Sequence, residues 1–263
     1  MLFRSLFLDQ EELFPDKIHP NREGATLMAL RIQEALLQRE DPSYDLVERL
    51  GIEGRPFNFH GFRGTEFESD GLKMKVVQPR HANPDHSWII RARFFGHEPQ
   101  VDISLLERGF HLVYCDVADL YGSPEAVEMM TRCYMIMLTH GLQCKVAMEA
   151  FSRGGLIAYN WAAVNPEKIS CIYADAPVLE IRSWPGGLGK GQGSREDWER
   201  CLKAYGLESE ADLAKFKGSP IDNALILAKI GKPMLHVYGE ADTVVPPAEN
   251  TLPFAEKIRE NGG

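Results

Sequence analysis

Residues 144–166 read CKVAMEAFSRGGLIAYNWAAVNP, and two periodicities meet in the middle of this stretch. Residues 144–151 have the strand pattern of a segment covered on both faces. Ser152 follows, then Arg153, Gly154 and Gly155. A helix is expected from there, with Ala158, Ala162 and Ala163 as small packing residues, until Asn165–Pro166 stops it. A chain that turns from strand to helix this sharply needs small neighbours around the turning residue. Gly154 and Gly155 supply them, and Ala150 adds only one methyl on the strand side. The first N–H groups of a helix have no partner within it and carry positive potential. Ser152 therefore sits where an alcohol can attack a carbonyl, and the Arg153 N–H sits where the resulting oxyanion can be held. The plainer reading of Ser152 is an ordinary helix N-cap.

Outward from this turn, residues 72–79, 87–93, 111–118, 169–177 and 233–241 also read as strands. Helical patterns fall near 100–108, 123–140, 195–217, 220–230 and 248–261. Such alternation predicts an α/β fold, a mostly parallel, doubly wound sheet with helices on both faces. Residues 41–71 read as a linker, with GIEGRPFNFHGFRG an irregular connector, and residues 1–40 as a separate piece whose helix runs from Asn21 to about Arg39. RSWPGGLGKGQG, at 182–193, matches no phosphate-loop spacing and reads as a mobile loop over the end of the sheet.

The strand–serine–glycine–helix context resembles the G-x-S-x-G elbow of the α/β-hydrolase superfamily. GEADTVVP at 239–246 resembles the G-x-x-D-x-x-V-P segment that carries the triad acid there, which places that role on Asp242. Asp175, in YADAP, is the reserve acid. The resemblance covers residues 72–263 and lies nearest to dienelactone-hydrolase and prolyl-oligopeptidase-like esterases. It implies a serine hydrolase that forms an acyl-enzyme on carboxylic esters, without metal or cofactor. The second oxyanion donor is expected from the loop RARFFGHEP, at Phe94 or its neighbour Arg93. Arg91, Arg93, His97 and Trp184 are candidates for lining the substrate site, and an arginine suits an anionic substrate group. Serine followed by arginine also resembles the glucuronoyl esterase elbow. The alternative for these arginines is structural pairing with Glu149, Asp116 or Asp119.

The family order Ser…Asp…His requires a histidine after Asp242, and none of the eight histidines follows it. His236 reads as a packed strand residue, and His97 and His111 lie upstream of the serine. The expectation is a sheet lacking its last strand, with the base beyond Gly263. The alternative is a catalytically inactive fold acting as a binding module. FPDKIHPNREG resembles the final block of SGNH/GDSL esterases, which assigns Asp16 and His19 to an acid–base remnant. That neighbour implies carbohydrate-linked esters as substrate.

A net charge of −9 and the absence of any basic run argue against a nucleic-acid partner. No apolar run reaches the length of a membrane span. The five cysteines form no CxxC pair, so neither a zinc site nor a disulfide scaffold is expected.

Overall fold

The computed structural model describes Thr26 and residues 43–263, so the readings at Asp16, His19 and the helix expected over 21–39 lie outside the described residues. Among those described, the strands are β1 (Arg55–Phe59), β2 (Phe62–Ser69), β3 (Leu72–Gln78), β4 (Trp88–Arg91), β5 (His111–Cys115), β6 (Val146–Phe151), β7 (Ile169–Asp175) and β8 (Met234–Val237). They form one sheet in the order β1-β2-β3-β5-β4-β6-β7-β8. β1, β2, β3 and β5 pair antiparallel in turn, and β5, β4, β6, β7 and β8 run parallel.

The expected connector is a correction. Residues 55–69 form a hairpin that extends the sheet by two strands, with Phe59, Phe62 and Phe67 buried. Its two-residue turn uses positive φ at both His60 (50°) and Gly61 (91°), which suits the right-handed twist of paired strands.

Over residues 43–263 the α-helices are α1 (Leu46–Leu50), α2 (Gln100–Leu106), α3 (Pro124–Thr139), α4 (Gly154–Val164), α5 (Arg195–Tyr205), α6 (Glu210–Lys215), α7 (Ala224–Ile230) and α8 (Thr251–Glu260). The main core joins the sheet to α3, α4, α7 and α8 through Met130, Met137, Ile157, Trp161, Leu227 and Phe254. A smaller core joins it to α2 through Leu106, Ile89, Leu112 and Phe59. Ser123 caps α3 by accepting the Ala126 N–H, and Pro124 fits the first helical position. The helix expected over 195–217 is broken at Gly206, which ends α5 with φ 66°.

Beyond the C-terminal end of the parallel strands, Tyr121, Leu156, Val178, Ile181, Cys201 and Val245 form a third cluster with Trp184 and Trp198. The glycine-rich segment 182–193 belongs to this cap and is tied down. Gly186, Gly187 and Leu188 donate to the carbonyls of Ile181, Ser183 and Arg182, and Ser194 donates to Pro185. Glu249 accepts from the Ser183 hydroxyl and the Lys190 N–H. The glycines fit close contacts here: a Cβ at Gly193 would lie 2.7 Å from the Gly187 backbone.

Candidate active site

The turn at Ser152 is a strained elbow. Ser152 has φ 50°, a left-handed conformation that costs a residue with a side chain about 1–3 kcal/mol. Three main-chain bonds hold it there. The Ser152 N–H donates to Asp175 O at 2.8 Å, and its carbonyl accepts from Gly155 (2.9 Å) and Val178 (2.9 Å). The small residues around it are required. A Cβ at Gly154 would lie 3.1 Å from the Arg93 Cβ, and one at Gly155 would lie 2.6 Å from the Val178 carbonyl oxygen. Ala150 is fully buried with its methyl in the main core.

The elbow's conformation and its hydroxyl can be separated. Ser152→Gly is expected to raise the thermal unfolding midpoint by the equivalent of about 1 kcal/mol, because glycine adopts positive φ without the Cβ clash. A lower midpoint in a thermal melt would show that the turn is not strained.

Two N–H groups face no partner at this end of the sheet. Neither Arg153 N–H nor Phe94 N–H makes a hydrogen bond among the described residues. Phe94 also has positive φ (53°), and the His97 N–H closes a turn onto its carbonyl at 3.0 Å. The Phe94 ring stands edge-on to Phe151, with centroids 5.5 Å apart.

The three arginines divide. Arg91 is fully buried. Its Nη1 donates to Asp102 at 2.8 Å and to Glu149 at 2.7 Å, its Nε to the Arg93 carbonyl at 3.2 Å, and its Nη2 to the His97 carbonyl. Cross-strand register sets Arg91 opposite Glu149, on neighbouring β4 and β6. As a correction, Arg91 therefore offers no face to a substrate. It anchors the loop that carries Phe94. Burial, together with the neighbouring carboxylate of Asp102, pushes Glu149 up to about 8, and burial also raises Asp102.

The Arg153 side chain is held in a bracket. It pairs with Asp197 at 2.6 Å and lies over the rings of Phe94 and Trp184, both at 5.6 Å. Asp197 also accepts from the Tyr121 hydroxyl (2.6 Å) and from Ser194 (2.7 Å). Arg93 forms no ion pair among the described residues.

Asp242 lies in the loop after β8. Val237, at the end of β8, pairs with Asp175, and Asp175 pairs with Phe151, so this loop leaves from the end of the sheet that holds Ser152. Asp242 Oδ1 accepts from the N–H groups of Val244 (2.8 Å) and Val245 (2.9 Å), leaving Oδ2 uncommitted among the described residues. Asp175 serves the elbow through its carbonyl, and its carboxylate accepts from Tyr173 at 3.5 Å.

No histidine among the described residues hydrogen-bonds Ser152 or Asp242. His97 is exposed, its ring 5.3 Å from Phe151. His111 lies at the opposite, N-terminal end of β5, where burial lowers it to about 4. His236 stacks on Phe254 and contacts Tyr159 and Thr251, and burial lowers it too to about 4. Glu149 is the partner that the structural alternative for the arginines named, and it meets Arg91; Asp197 and Asp102 carried no local sequence signal, each being defined by a contact across the fold.

No protein-family model and no curated protein matches the chain. Solved structures do. Porphyromonas gingivalis dipeptidyl peptidase 4 superimposes with a TM-score of 0.58 at 14% identity, over 78% of this chain and 31% of that one. An S-formylglutathione hydrolase from Agrobacterium tumefaciens gives 0.54 at 15% identity, over 79% of this chain and 86% of that one. A protein described as a lipase, Lip1, from Acinetobacter baumannii gives 0.53 at 12% identity, over 82% and 83%. The chain thus spans about a third of the peptidase and most of the two smaller proteins. Its mixed eight-stranded sheet, with helices on both faces and a serine at a strand-to-helix elbow, is a fold of the α/β-hydrolase type.

Proposed function

We propose that the protein is a serine hydrolase that cleaves carboxylic esters through an acyl-enzyme. The observation that carries this reading is the elbow: Ser152 is held at φ 50° beside two unpartnered N–H groups. Strain of this kind persists where the surrounding structure enforces it, and it is concentrated at functional sites. In this reading the Ser152 Oγ attacks the ester carbonyl, and the N–H groups of Arg153 and Phe94 hold the oxyanion. Asp242, through its free Oδ2, orients the histidine that accepts the proton. Two of the structural neighbours are by their names a lipase and an S-formylglutathione hydrolase, and a third is a dipeptidyl peptidase, so the fold is one on which ester and peptide chemistry both occur. The sugar-linked character of the ester rests on the D-x-x-H-P-N block at 16–21.

A second reading is favoured by one observation, that no described histidine meets Ser152 or Asp242. It is a binding module on the same fold, with Ser152 an unactivated alcohol. Fluorophosphonate labelling followed by peptide mapping separates the two. Activated Ser152 is expected to take the label and to hydrolyse 4-nitrophenyl acetate, with both lost in Ser152→Ala. A folded chain that takes no label and leaves a panel of esters intact is the binding module.

A further inference from the structure

The acids around the elbow leave one arginine over. Arg91 is shared between Asp102 and Glu149, and Arg153 is matched by Asp197. Arg93 has no carboxylate within ion-pair distance among the described residues. Its neighbours are the Phe94 ring, with the guanidinium carbon 5.2 Å from the centroid, and the Tyr114 hydroxyl. That hydroxyl donates to Asp116 at 3.2 Å, and Asp116 also accepts the Ala118 N–H.

Arg93 is half-buried, and its Nε is fully buried without a partner. A buried donor without a partner carries a desolvation cost that a bound acceptor would remove. The position is against the elbow itself, since the Arg93 Cβ packs where a Cβ on Gly154 would stand. Arg93 and Arg153 both line a narrow cleft with Ala92, Val117, Tyr121 and Ile157. Of the three arginines beside the elbow, Arg93 is therefore the one without a carboxylate partner among the described residues.

We propose that Arg93 binds a carboxylate carried by the substrate next to its scissile ester, which makes the preferred substrate an anionic ester. The inference deepens the hydrolase reading and rests on it for the word substrate, but the binding itself does not require hydrolysis. A guanidinium beside an aromatic face offers parallel donors to a planar carboxylate, and a neutral ligand of the same shape lacks the charge to match it.

The test compares D-glucuronate with D-glucose, which differ by one carboxylate, using isothermal titration of the full chain. Glucuronate is expected to bind saturably and to weaken with added salt, and glucose to bind at least tenfold more weakly. Arg93→Gln is expected to weaken glucuronate by roughly tenfold or more, and Arg93→Lys by less, because it keeps the charge and loses the fork. Circular dichroism of both variants reports folding, and the lysine variant keeps the test decisive if the glutamine variant is unstable. Equal affinity for the two sugars, or affinity unchanged in both variants, overturns the proposal. The fluorophosphonate experiment reads the hydrolase function separately. Labelling of Ser152 without Arg93-dependent binding sinks the carboxylate site alone, and binding without labelling sinks the hydrolase alone.

Discussion

Arg91→Met is expected to lower the unfolding free energy by about 3–5 kcal/mol in urea denaturation at pH 7, the cost of leaving buried carboxylates without their cation. Arg91, Asp102 and Glu149 are at most 3% exposed, so water cannot replace the guanidinium. Asp102 Oδ1 and Glu149 Oε2 already lack partners, and a proton on one carboxyl lets it donate within the pair. The charged and titratable groups facing the pair are Arg91, His60 and Tyr173.

The sign with pH follows from Glu149. Its carboxyl is raised from the ordinary 4.5 to about 8 in the fold, so the folded state holds a proton that the unfolded chain releases. Stability from this group is complete below about 4.5, falls as pH rises towards 8, and is level above it. Asp102, also raised, adds a fall of the same sign. Glu149→Gln keeps a neutral donor in place. It is expected to fold at pH 7 and to show a shallower loss of stability between pH 5 and 9 than the wild type. Identical slopes in denaturation series across that range would show that Glu149 is ionised in the fold.

Gly155→Ala is expected to cost roughly 3 kcal/mol, at the top of the range for overpacking. Its Cβ would stand 2.6 Å from the Val178 carbonyl oxygen and 2.9 Å from the Pro177 Cβ. The Val178 N–H is itself bonded to Ser152 O, so the two segments cannot part without opening the elbow. Gly206→Ala is the control. It has positive φ but nothing within 4 Å of a Cβ, so only backbone strain of about 1 kcal/mol is expected there. Equal midpoints for the two variants in thermal denaturation would remove steric closeness as the reason for Gly155.

The elbow was legible because strand, serine, glycines and helix are contiguous, and the steric demand at Gly154 and Gly155 acts within a few residues. The parallel strands were legible because burial on both faces writes long apolar runs. HLVYC of β5, buried at every position, is one. The hairpin at 55–69 was not. Its turn is His-Gly in place of the usual Asn-Gly, and Arg55, Pro56 and Asn58 in β1 are polar or poor strand formers. The three arginines could not be sorted from sequence either. Their fates depend on β4 lying beside β6 and on α5 bringing Asp197 to Arg153, and both are properties of strand order and packing.

That hairpin also bears on where the smallest working unit begins. Phe95, next to Phe94, the oxyanion donor proposed above, packs its ring 5.9 Å from Phe57 and 5.1 Å from Phe59, both on β1. Arg91 braces the same loop from inside the sheet. A chain cut at residue 72 would keep every residue assigned to catalysis and lose the floor beneath the loop that presents one of them. The shortest piece able to hold the mouth in shape starts no later than Arg55, and the two strands within the expected linker are part of the sheet's architecture.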